Sequence, residues 1–308
     1  MSISIDTQSS TNAVEHKRNY ESSKNTRSIG YKAILSIVIL TCSLAVFLLG
    51  PNYSTLFPTN GNTIYAASVS AVFLIAALLF KRSEKLTIYW QITYAFFIAS
   101  MVNLVSDVLG GYQGDFVRFL GASINTNPGI GLGKMYETLL AVIPILVLTL
   151  LSGVNLRSLS LTKGNLNYKW GFAIGSLVVV NYLTSVLIFF GTGYEISKLG
   201  SVILWGLVFA FSNSMLEELW VRGLFVKKLL PLVGVVGTVL LTSIWFGVMH
   251  FVAVAYMPIA VVPIFVVNAF TMGIACGILM VKTDSIWGAY LIHAAADLFL
   301  FIAMLAVH

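Results

Sequence analysis

Nine apolar runs separated by short polar gaps constrain this 308-residue chain more than any other feature. Each run is about 18 residues or longer, enough to cross the roughly 30 Å hydrocarbon layer of a bilayer as a helix. They are Ala33–Gly50, Thr63–Phe80, Leu86–Leu109, Met135–Gly153, Trp170–Gly191, Leu199–Phe225, Val233–Tyr256, Ile259–Val281 and Ser285–Val307. With 58% hydrophobic and 10% charged residues, the chain is too apolar for an ordinary soluble domain. The expected fold is all-α, a polytopic membrane helix bundle of eight or nine transmembrane helices. The count is nine if the weak fourth run crosses, and eight if it lies on the surface and returns the C-terminus to the inside.

Lys and Arg stay preferentially on the cytoplasmic side of short loops, so their distribution sets the orientation. With the N-terminus inside and nine spans, fifteen of the eighteen basic residues are cytoplasmic, leaving Arg118, Lys134 and Lys198 outside. The Lys81–Lys85 loop is then cytoplasmic and His308 external. The net charge of +6 follows from this asymmetry, which reads as topology rather than as a nucleic-acid footprint. The expected surroundings are the lipid bilayer, which in a prokaryotic host is the cell membrane, with no nucleic-acid partner.

Residues 1–31 are rich in Ser, Thr, Asn and Lys and lack an apolar face, as a disordered cytoplasmic tail would. The long polar lead and the missing cleavage pattern argue against a signal peptide. The polar stretch Ser152–Lys169 separates N-terminal helices in 32–153 from C-terminal helices in 170–308. Cys42 and Cys276 both fall within spans and read as small packing residues. The run GIGLGK, Gly129 to Lys134, has the wrong spacing for a phosphate loop and lacks the hydroxyl after its Lys. Asn52-Tyr53-Ser54 is a glycosylation triplet of the kind chance produces.

Chemistry concentrates in the last hundred residues, in EELWVR (Glu217–Arg222), FGVMH (Phe246–His250) and HAAAD (His293–Asp297). Ionisable groups inside membrane spans are costly and mark function by default. Residues four apart share a helix face, so Glu218 and Arg222 can form an ion pair while Glu217 turns away toward Asn213. That leaves Glu217 free for a water or a metal. Phe246 shares a face with His250, and His293 with Asp297, as two metal ligands or a ligand and its orienting carboxylate would. Counted from expected cytoplasmic ends near Leu229, Gly237 and Ser285, Glu217, His250 and His293 lie at depths of roughly 12–20 Å, so one site is possible.

The order and form of the three motifs resemble EExxxR, FxxxH and HxxxN/D of the CAAX protease and bacteriocin-processing (Abi) family of intramembrane endopeptidases. The resemblance covers about residues 200–300. It implies a helix bundle with a cavity reaching the cytoplasmic side. It also implies that Glu217 and His250 activate the attacking water, that His293 and Asp297 complete the site, and that Glu218, Arg222 and Phe246 support it. The substrate it implies is a membrane-tethered protein or peptide, such as a prenylated or lipidated one.

Two mechanisms stay open at this level. Glu217 and His250 can act as general base while the third motif stabilises the oxyanion. Alternatively, zinc held by His250, His293 and Asp297 activates the water, as in a metalloprotease. An ionised Asp accepts hydrogen bonds but donates none, so Asp297 suits a metal ligand or an orienting carboxylate unless its site keeps it protonated. Asp107, one turn from Asn103, reads as a polar helix contact. The reading from a different class is a proton- or cation-coupled transporter that uses the same Glu/His/Asp cluster. No inverted repeat supports it.

Overall fold

The computed structural model describes residues 29–51, 61–165, 168–190, 196–251, 259–260 and 262–306. Most of the expected tail, the Asn52–Ser54 triplet and His308 lie outside the described residues. The helices are α1 (Ile29–Phe47), α2 (Gly61–Arg82), α3 (Trp90–Leu109), a short α4 (Gln113–Phe119), α5 (Asn127–Leu151), α6 (Tyr168–Phe190), α7 (Ile196–Glu217), α8 (Val226–Met249), α9 (Val262–Thr283) and α10 (Trp287–Ala306). A π-helical turn, Glu218–Gly223, follows α7 directly. Every apolar run expected from the sequence coincides with one long helix. Seven segments of the described chain are long and apolar enough to cross a membrane, and the protein is an integral, multi-pass membrane protein.

The fourth run differs from expectation. Its helix, α5, starts at Asn127 rather than Met135 and reaches 25 residues. Thr126 caps it, accepting a hydrogen bond from the Gly129 N–H at 3.3 Å, and Pro128 suits its first turn. The GIGLGK run is therefore helical. A Cβ added at Gly131 would lie 3.0 Å from the Trp205 carbonyl oxygen, so the missing side chain lets α5 approach α7.

The main pairings are α2 with α3, α7 with α10, α8 with α9, and α5 with α7. Apolar side chains such as Ile34, Val72, Leu79, Leu177 and Val236 remain exposed on the outer surface. In lipid such faces carry no penalty, so small residues and interhelical hydrogen bonds organise the interior. Asn103 Nδ2 donates to the Val46 carbonyl at 2.7 Å, and Ser70 Oγ donates to Ser100 Oγ at 2.9 Å. Asp107, by contrast, has no hydrogen-bond partner on either oxygen. The expected polar contact on that face is made by Asn103 alone.

Two features place the site. Gly234 has φ 75°, a left-handed conformation open to glycine, and breaks α8 between Val233 and Val235. Phe47, Phe96, Trp220, Phe225 and Trp245 then form a buried aromatic cluster with neighbouring ring centroids 4.8–5.8 Å apart. The polar stretch after α5 is strapped to the α9–α10 connection. The Ile286 N–H donates to the Ser160 carbonyl at 3.0 Å, the Asn165 N–H to the Thr283 carbonyl at 2.6 Å, and Ser285 Oγ to the Thr162 carbonyl at 2.7 Å.

Candidate active site

The first motif straddles a change of helix type: Glu217 ends α7 and Glu218 begins the π-helical turn. Such turns widen the helix locally and occur often at functional sites. Glu218 and Arg222 form the expected ion pair, and both side chains are fully buried. The Arg222 guanidinium carbon lies 4.2 Å from the Phe246 ring centroid, and this cation–π contact covers a group whose Nε and Nη2 lack hydrogen-bond partners. Phe246 also meets His250 and His293 edgewise or tilted, at 4.6 and 5.6 Å between centroids.

Glu218 does more than pair with Arg222. His293 Nδ1 donates to Glu218 Oε1 at 2.8 Å. The carboxylate that orients His293 is therefore Glu218, whereas one-turn spacing pointed to Asp297. His293 Nε2 faces two further oxygens, Glu217 Oε2 at 3.5 Å and Asp297 Oδ1 at 3.6 Å. A ring flanked by carboxylates on both sides can donate from both nitrogens only as imidazolium.

Asp297 is held in turn by Asn213 Nδ2 at 3.0 Å and Ser214 Oγ at 3.1 Å, both donating to its Oδ2. Asn213 and, less directly, Ser214 share a face with Glu217; their contact with Asp297 needs the α7–α10 pairing. The second histidine has a settled orientation. His250 Nδ1 donates to the Phe246 carbonyl at 2.8 Å, so in the neutral ring Nε2 carries the lone pair. That nitrogen lies 3.9 Å from Glu217 Oε2, itself buried and without a hydrogen-bond partner. The separation is too long for a direct hydrogen bond and somewhat under the roughly 4.4 Å expected of two atoms sharing one water. All seven residues singled out in the motifs thus meet in one place.

A cavity of about 340 Å³ opens from Glu217 and Asn213 past Asn103 and Ser106 to Gln113, Lys134 and Glu137. Lys134 Nζ pairs with Glu137 at 2.5 Å, and Gln113 Nε2 donates to the other Glu137 oxygen at 2.8 Å. A fourth span that begins at Met135 leaves Lys134 in the preceding connection, whereas the helix that begins at Asn127 makes it part of this polar wall. Two charges three residues apart in an apolar helix were the available signal. The cavity extends toward the late turns of α3 and the early turns of α5, away from the basic loops at the other ends of those helices. The resemblance implies a cavity reaching the cytoplasmic side, and the orientation expected from the basic residues puts this end outside, so the two expectations differ. On the opposite side of Glu217 the aromatic cluster closes the bundle, with Trp220 belonging to both regions.

Among the described residues no group of three or more His, Cys, Asp or Glu side chains has an arrangement that could hold a metal ion. His293 Nδ1 donates to Glu218 and Asp297 Oδ2 accepts from Asn213 and Ser214, which leaves His293 Nε2 facing Asp297 Oδ1 and Glu217 Oε2. His250 has Glu217, not Asp297, beside it.

Residues 199–299 match the Rce1-like family model, described as type II CAAX prenyl endopeptidase Rce1-like. The matched third of the chain contains all three motifs, which supports the CAAX-protease resemblance read from them. No curated protein and no solved structure matches the chain.

Proposed function

We propose, from the family match and the geometry beneath it, that the chain is an intramembrane endopeptidase that cleaves membrane-tethered peptides, prenylated or otherwise lipidated. The carrying observation is the convergence of His250 Nε2 and His293 Nε2 on the buried, unpartnered Glu217 Oε2, at 3.9 and 3.5 Å. A water shared by Glu217 and His250 loses a proton to Glu217 as its oxygen attacks the peptide carbonyl. His293 Nε2–H, aimed by Glu218, donates to the developing oxyanion. Collapse of the tetrahedral intermediate breaks the C–N bond, and the proton held by Glu217 passes to the leaving amine. The products are one new carboxylate and one new amine. Asp297, fixed by Asn213 and Ser214, lies 3.6 Å from His293 Nε2 and stabilises the positive charge of the ring.

Glu217→Gln tests this reading, because Gln keeps the shape but takes no proton. The expected loss in kcat is about 10³-fold, with the protein folded and substrate still bound. Unchanged cleavage would remove Glu217 as the base, and absence of cleavage of any membrane-tethered peptide by the wild type would remove the protease reading and return the cluster to a relay between helices. Metal analysis of the same preparations tests the zinc mechanism. One equivalent of zinc in the wild type, lost in His250→Ala and His293→Ala, would transfer water activation to the metal.

A further inference from the structure

A second polar cluster lies at the other end of the bundle from the cavity mouth. Trp90 and Tyr94 at the start of α3, Thr149 in the last turn of α5, Ser158 in the following loop and Lys228 in the first turn of α8 surround a small cavity of about 10 Å³. Three of these side chains present buried polar atoms without hydrogen-bond partners: Thr149 Oγ1, Ser158 Oγ and Lys228 Nζ. A buried lysine nitrogen without a partner is costly in a protein, so its convergence with two unpartnered hydroxyls on one space points to a ligand.

Charge and size define that ligand. No acidic residue is among the described lining residues, and the nearby Asp284 is already paired with Lys227 at 2.8 Å. Lys81 stacks on Trp90 at 4.8 Å, and Arg157 adjoins Ser158, so the surroundings are cationic. An anionic oxygen is favoured over water. The volume admits one water-sized atom, so a larger anion inserts a single oxygen and leaves its remainder at the surface. The location suits this, because helix ends carrying Trp and Lys mark the headgroup layer, where anionic lipids meet basic residues.

We propose that Lys228, Ser158 and Thr149 bind one oxygen of a phosphate group, supplied by an anionic lipid headgroup or by free phosphate. The site is separate from Glu217 and independent of the proposed chemistry. The test uses the purified full-length protein in neutral detergent, titrated with phosphatidylglycerol, phosphatidylcholine or inorganic phosphate. Binding is read by native mass spectrometry and by the thermal unfolding midpoint. Phosphatidylglycerol should bind the wild type about tenfold more tightly than Lys228→Met, as loss of one charge-assisted hydrogen bond implies. If inorganic phosphate gives the same Lys228-dependent shift, the site stands and its ligand comes from solution. Should Lys228→Met fail to fold, Ser158→Ala serves instead, with a severalfold weaker response expected. Equal responses of wild type and variants to both anions, no larger than to phosphatidylcholine, would overturn the proposal and leave the cluster to water.

Discussion

The two sides of Glu217 are built on opposite principles. Toward the start of α3 the interior is closed by Phe47, Phe96, Trp220, Phe225 and Trp245, with the Glu218–Arg222 pair fully buried near Phe246. Toward the end of α3 it is a cavity walled by Asn103, Gln113, Lys134, Glu137 and Asn213. Adjacent carboxylates thus have different fates. Glu218 Oε1 is held by Arg222 and His293, whereas Glu217 faces the cavity; each keeps a buried Oε2 without a hydrogen-bond partner. Water chemistry in a membrane needs both conditions at once, a dry frame that fixes its groups and a polar space that admits water and substrate.

Replacing a residue on the closed side should cost folding, and replacing one on the cavity side should cost turnover. The largest effect after Glu217→Gln is expected at the ion pair. Glu218→Ala or Arg222→Ala strands a buried charge, and the loss should be about 4 kcal/mol in unfolding measured in detergent. The double variant Glu218→Arg with Arg222→Glu should recover part of it. If the single variants unfold like wild type but fail to cleave, Glu218 belongs to the chemistry and the contrast between neighbours disappears.

Phe47→Ala comes next. It opens a void in the aromatic cluster and should destabilise by about 3 kcal/mol, while cleavage per folded molecule stays near wild type. A large drop in kcat with unchanged stability would mean that the closed side takes part in the reaction. The smallest effect is expected for Asn213→Ala, which removes one donor to Asp297. Cleavage should fall roughly tenfold with little change in the unfolding midpoint. Equal kinetics in wild type and variant would show that Asp297 needs no such support.

The bundle was readable in the residues because in lipid an apolar run long enough to span has essentially one way to satisfy its own backbone. Hydropathy located every long helix, and one-turn spacing found the Glu218–Arg222 pair. Boundaries were less legible. The start of α5 depends on the Thr126 cap and on Gly131 packing against α7, which hydropathy does not register, so hydropathy alone leaves Lys134 in the connection before the helix.

By itself, the sequence determined the all-helical membrane fold, the seven residues of the motifs and the local pairings within one turn. Only the tertiary structure decided which carboxylate orients which histidine, that Ser214 and Asn213 hold Asp297, and on which side of Glu217 the cavity lies. Those contacts join side chains as many as 84 positions apart. Their partners are set by how α7, α8 and α10 pack, and a helix face determined by periodicity carries no record of the helix it will meet.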